Sequence, residues 1–314
     1  MTLKLLGFVD LPDHVNADGF DHADVDRATG LTYVAHTAND AIDVFDVQAG
    51  RYLGSIPGLK AVAGALVSHD PPLVFTSNRG ENTLGMFVPI SGAASPLPGA
   101  AEKIDVGVRP NGLAFSPRHA QVLVAHVGDP AMPGSTTVSL VDIRAKKRIA
   151  DLPVPGRTRW AVYDPIADAF HVNIMDPPQI VVVGAGEGTG IRRVVPIPYA
   201  GPHGLDIDVA RRRLFCACDA GVLVEVDADT GGILRTDTLA GVPDVVFLNA
   251  RLGHLYVAVG DPGVIEVFDT TRLQHHEVVR TEHGAHTLSF DAARDLVCAF
   301  LPATHRAAVY LDHG

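Results

Sequence analysis

Residues 111–126 read NGLAFSPRHAQVLVAH: a short apolar strand closing on Ser116, a polar turn, and a second apolar strand ending in His126. The unit recurs as DHADVDRATGLTYVAH (21–36), AGALVSHDPPLVFTSN (63–78), RWAVYDPIADAFHVN (159–173), HGLDIDVARRRLFCAC (203–218), DVVFLNARLGHLYVAV (244–259) and HTLSFDAARDLVCAFL (286–301). Self-similarity at a fixed period outranks any local motif, because each repeat is one supersecondary unit that must stack on its neighbours to bury a core. Aligned on the polar residue before the turn (Asp26, Ser68, Ser116, Asp164, Asp208, Asn249, Asp291), the units are spaced by 42, 48, 48, 44, 41 and 42 residues. A four-stranded propeller blade needs about 40–45. Third strands follow as AIDVFDV (41–47), TTVSLVDI (136–143), VLVEVDA (222–228), VIEVFDT (264–270) and AAVYLD (307–312), with the period-2 alternation of strands packed between layers.

The seventh unit stops at Asp312 with three strands, while TLKLLGFVDL (2–11) is a strand without a blade. Joining the two completes a blade and protects the edges that an open ring would expose. The expectation is an all-β chain, residues 1–314 forming one seven-bladed β-propeller domain, with residues 2–11 closing blade 7. A closed ring has no free sheet edge, so a monomer is expected.

Composition narrows the function classes. The chain is 47% hydrophobic and 19% charged, with 25 Lys and Arg against 36 Asp and Glu, a net charge of −11. An acidic chain lacks the clustered cations that displace counterions from a phosphate backbone, so no nucleic-acid partner is expected. No apolar run approaches 20 residues, which argues against a membrane-spanning helix. The N-terminal stretch shows no secretory signal pattern, and three cysteines do not make an even disulfide framework. Both point to the cytoplasm.

The motifs RPNGLAFSP (109–117), DRATGLTYVAH (26–36) and VSLVDI (138–143) resemble those of the YVTN/YncE-like β-propeller family, and more loosely NHL and gluconolactonase-like propellers. The resemblance covers nearly the whole chain and implies the fold. Propellers of this kind include enzymes and binding proteins, so function must be argued from the site.

In a propeller the innermost strand of each blade starts beside the channel, and the second strand returns to the same face. Five residues before each anchor stand Asp21, Ala63, Asn111, Arg159, His203, Asp244 and His286. Ten residues after it stand His36, Asn78, His126, Ile174, Cys218, Val259 and Leu301. Blades 5, 6, 7 and 1 are neighbours in the ring. They bring His203, Asp244, His286, Asp21 and His36 to one side, the donor types that divalent transition metals such as Zn, Mn, Fe, Ni or Cu accept. Asp21 and His22 are adjacent on one strand, so only one should face the channel; register favours Asp21, and a bulge would exchange them. Opposite them, Asn78, Asn111, Arg159 and Asn173 suit a polar or anionic small-molecule substrate.

Three functions follow. The first is a metal-dependent enzyme in which His126 and His22 move protons and Arg159 is a fixed cation. The resemblance to gluconolactonase-like propellers suggests a hydrolase or lyase, although that pattern uses Glu and Asn ligands where this ring is rich in His. The second is a non-catalytic ligand-binding or scaffold propeller, and the third a copper-dependent oxidoreductase. Trp160 is expected to pack between blades.

Overall fold

The computed structural model describes residues 2–314 as seven four-stranded antiparallel sheets arranged in a ring. Blade 1 consists of Phe20–Asp26, Leu31–His36, Ala41–Asp46 and Arg51–Pro57, innermost strand first, and blades 2 to 6 repeat the order. In blade 7, Leu288–Asp291, Leu296–Leu301 and Arg306–Asp312 are completed by Leu3–Asp10, which pairs from Leu3↔Asp312 to Asp10↔Arg306. The ring therefore closes through its first strand. Two further bonds extend the join, Leu11 N–H to His305 O (2.9 Å) and His313 N–H to Thr2 O (3.1 Å).

The anchor residues make the turns by a common device. Asp26, Asp164, Asp208, Asn249 and Asp291 each accept a backbone N–H two or three residues ahead with a side-chain oxygen, the local bond that favours Asx residues in turns. Four residues after the anchor the chain adopts a left-handed conformation, at Gly30 (φ 76°), Ala120 (51°), Asp168 (50°), Arg212 (57°), Gly253 (72°) and Asp295 (54°).

The apolar alternation is consumed between blades. Ala114, Leu123, Val138 and Leu140 of blade 3, for example, pack against Ala161, Phe170, Val172 and Val181 of blade 4. Seven such clusters surround the ring. Each fully buried Val, Leu or Phe contributes about 1.5–3 kcal/mol.

One irregularity prepares the site. Where the innermost strand meets the second, register breaks between Phe20 and Ala23, Pro110 and Leu113, Thr158 and Ala161, Pro202 and Leu205, and Pro243 and Val246. Asp21, His22, Asn111, Arg159, His203 and Asp244 all lie in these breaks. Released from the ladder, their side chains can turn toward the channel, the re-aiming that bulges commonly provide.

Candidate active site at the channel mouth

His203 is the hub. Its Nδ1 lies 2.7 Å from Asp219 Oδ1 and its Nε2 3.0 Å from Asp244 Oδ1. On the other side of Asp244, His286 places Nε2 at 3.8 Å from Oδ2, while its own Nδ1 donates to Gly284 O at 2.7 Å. Asp219 also lies 3.6 Å from Arg159 Nη2. Across the mouth Arg79 bridges two blades, donating to Asp21 Oδ2 (3.1 Å) and to Asn111 Oδ1. His22 Nε2 lies 3.3 Å from Asp21 Oδ1.

Burial and charge act in opposite directions here. Burial disfavours the His203 imidazolium, but Asp244 and the hydrogen bonds to both carboxylates outweigh it and raise its pKa to about 9. Burial likewise works against the Asp244 carboxylate, yet His203, His286 and His22 hold it well below the usual range. His286 is raised despite burial, through Asp244 and Asp21, whereas for His22 burial dominates and lowers it. The mouth also gathers cations. Arg157 is depressed by burial and by the charges of Arg159, Arg79 and Arg109, and the Nε atoms of Arg79 and Arg159 are buried without a partner.

Of the eleven side chains singled out in the sequence, Asp21, His22, Asn111, Arg159, His203, Asp244 and His286 come together at the mouth. His36, Asn78 and His126 do not. They stand on the second strand opposite the residue before the mouth position (Phe20↔His36, Val62↔Asn78, Pro110↔His126) and point into the blade. His36 is fully buried, with Nδ1 on Asp43 Oδ2 and Nε2 on His14 Nδ1, both 2.7 Å, so it does not complete the arc from blade 1. His126 contacts Thr137 Oγ1 through Nδ1 and accepts the Gly107 N–H through Nε2, and burial lowers its pKa to about 4. Asn78 donates to Thr83 Oγ1. Asn173 donates to the backbone oxygens of His203 and Gly204, which makes it a support for the hub. Because of the register break, Asp21 and His22 both reach the mouth, contrary to strict alternation.

Sequence reasoning missed Arg79, Asp219 and Met175, whose Sδ lies 3.5 Å from Arg159. All three stand eleven residues after their anchors, one beyond the offset chosen. Trp160 packs between blades 4 and 5, as expected, and also reaches across the channel. Its ring packs on His22 at 4.1 Å between centroids, across the channel, with Phe247 edge-on at 6.2 Å.

His203 and His286 each have Nδ1 engaged and Nε2 turned to Asp244. Among the described residues, no three His, Cys, Asp or Glu side chains already surround one point at ligand distance.

Fold and mouth together define a seven-bladed β-propeller with a dense ionisable cluster at one end of its channel. No family model and no curated protein matches the sequence. Among solved structures, a chain of Kuenenia stuttgartiensis hydrazine synthase is similar, with a TM-score of 0.79 at 12% identity over 94% of this chain and 97% of that chain. At that identity the likeness shows the propeller fold and nothing finer. The likeness to YVTN/YncE-like proteins rests on the repeat motifs alone. Among the described residues no helix is long and apolar enough to cross a membrane.

Proposed function

We propose that the chain is a metal-dependent enzyme of hydrolase or lyase type, acting on a small anionic molecule at the channel mouth. One observation carries this reading: His203 and His286 each engage Nδ1 with a fixed acceptor, Asp219 Oδ1 and Gly284 O, and turn Nε2 onto different oxygens of Asp244. Metal-ligating histidines almost always have such an outer partner, which sets the tautomer and the ring orientation. His203, His286 and Asp244 would hold the ion, with Asp21 as a further donor. When bound, a divalent transition metal supplies Lewis acidity toward a carbonyl or a water.

The chain's own groups do the rest. Arg159 and Arg79 hold an anionic group, their unpartnered Nε atoms adding donors, and Asn111 orients Arg79. His22, kept neutral by burial, can take a proton at Nε2 beside Asp21. Trp160 packs on His22 across the channel.

A non-catalytic binding propeller is the second reading. It is favoured by the two carboxylates that flank His203 and raise its pKa to about 9, a cluster that neutralises itself without an added cation. Elemental analysis of protein purified without an affinity tag separates the two. The enzyme reading expects one equivalent of Zn, Mn, Fe, Ni or Cu, with copper pointing to an oxidoreductase. Asp219→Asn should then weaken metal affinity by about 10–100-fold while leaving the melting temperature within a few degrees. If no metal copurifies and none of these ions binds or shifts the melting curve at neutral pH, the binding reading stands.

A further inference from the structure

Beyond the His22–Trp160 pair the channel opens into a cavity of about 600 Å³, lined by residues from all seven blades. That volume is typical of a small-molecule pocket, about 300–1,000 Å³. Its wall is more apolar than polar, with Phe115, Trp160, Phe247 and Phe290 among the lining side chains. Arg27, His69, Asp70 and Pro117 stand at its far end, at the ends of the innermost strands and in the turns that follow them, on the face away from the mouth.

Two carboxyl groups interrupt this wall, Asp24 from blade 1 and Asp206 from blade 5, blades that are not neighbours in the ring. Both stand two residues before their anchors. The other five blades carry Leu66, Ala114, Val162, Phe247 and Ser289 there. Asp24 accepts the N–H groups of Val25 (2.8 Å) and, on the next blade, Val67 (2.7 Å). Asp206 accepts those of Ile207 and Leu248, both at 2.7 Å. These partners are backbone amides only, and neither carboxylate forms a salt bridge among the described residues. A carboxylate offers about four acceptor sites, so each retains capacity toward the cavity. Burial raises both pKa values to about 6, with Arg27 lowering and Asp26 or Asp208 raising them more weakly.

We propose that this cavity is a second ligand site, distinct from the mouth, which takes a small aryl-alkyl ammonium: its apolar body against Phe115, Phe247 and Trp160, its cationic head on Asp24 or Asp206. Aromatic faces attract an ammonium through their quadrupoles, and the carboxylates supply the opposite charge. Asp24, Asp206 and Asp70 oppose the single arginine at the rim, so the field favours a cation. The site does not depend on what the mouth binds.

Trp160 is the chain's single tryptophan and lines the cavity, so its fluorescence reports occupancy directly. Titration with 2-phenylethylammonium at pH 7.5, above the titration of both carboxyls, should give a saturable change, confirmed by calorimetry. The neutral isostere 2-phenylethanol should bind at least tenfold more weakly. The Asp24→Asn/Asp206→Asn protein should lose that preference. If the double variant fails to fold, Leu66→Phe/Val162→Phe provides a second arm, because it narrows the cavity without touching either carboxyl. Phe247 already stands at the equivalent point of blade 6, so the fold accommodates the ring; amine affinity should fall at least tenfold. His203→Ala, at the mouth, should leave amine binding unchanged. Absence of amine binding, equal affinity for amine and alcohol, binding that survives cavity narrowing, or binding lost with His203 would each overturn the proposal.

Discussion

The two halves of the channel use the same side chains to opposite effect. At the mouth charge answers charge: Asp244 stands between His203 and His286, and Asp21 meets Arg79 and His22. In the body, Asp24 and Asp206 meet backbone N–H groups and no cation. Asp244 is accordingly held below the usual carboxylate range, while Asp24 and Asp206 rise to about 6. His203 and Asp206 even share one strand, Pro202–Asp208, and both are raised, His203 by carboxylate partners and Asp206 by burial. Among these three buried carboxyls, the presence of a charged partner decides the direction of the shift. The His22–Trp160 pair stands between the two regimes.

The comparison is broken most completely by opening the ring, since both halves exist only while blade 7 is closed. Removing residues 2–11 takes away Leu3, Val9 and Leu11, all buried, together with the pairing to Arg306–Asp312. At about 1.5–3 kcal/mol for each apolar side chain the loss is on the order of 5 kcal/mol. That corresponds to a fall in melting temperature of roughly 10 °C or more for a protein of this size. A truncated protein that melts with the full chain would show that the closing strand is dispensable.

A smaller intervention merges the halves. Trp160→Ala removes a partly buried ring that packs on His22 and Phe247, at a cost of about 2–3 kcal/mol, below the 3–5 kcal/mol of a fully buried aromatic. Trp160→Phe should cost less and keep the partition. Carbethoxylation of His22, followed by mass spectrometry of its peptide, should accelerate in the alanine variant and stay near the wild-type rate in the phenylalanine one. Equal rates in all three proteins would mean that Trp160 does not shield the mouth.

How much of this was legible in the sequence follows from the same geometry. Blade number, spacing and closure were readable because the repeats are local and each anchor builds its own turn. The offset of five found the mouth residues on the innermost strands. The offset of ten failed because His36, Asn78 and His126, the last residues of their strands, point into their blades, while Arg79, Met175 and Asp219, the first residues beyond the strand ends, reach the mouth. Shifting the second ring by one position would have found them. The joint approach of Asp21 and His22 required a register break that no residue type announces. Trp160 meets His22 across the ring from blade 4 to blade 1, a contact between distant repeats that local periodicity cannot encode. The cavity carboxyls were visible as DVD (24–26) and DID (206–208), but the second Asp of each served as the anchor and obscured the first.

The finest test reads the body's two carboxyls through pH. A carboxyl whose folded pKa lies above its unfolded value, near 3.8, binds more protons in the native state than in the unfolded chain between about pH 4 and 6. Stability must therefore fall as pH rises through that window, and the penalty is complete above it. Each carboxyl should remove on the order of 1–2 kcal/mol between pH 4 and pH 7. The Asn variants cannot titrate there, and whatever they lose in hydrogen bonding is independent of pH. Asp244 and Asp164, whose depressed values make stability fall toward low pH, are present in both proteins and cancel in the difference. Urea unfolding of wild type and of Asp206→Asn, compared at half-unit steps from pH 4 to 7, should show the variant gaining on the wild type as pH rises. A difference that stays flat would mean that the Asp206 carboxyl titrates as it does in water, and that the contrast between mouth and body is one of position only.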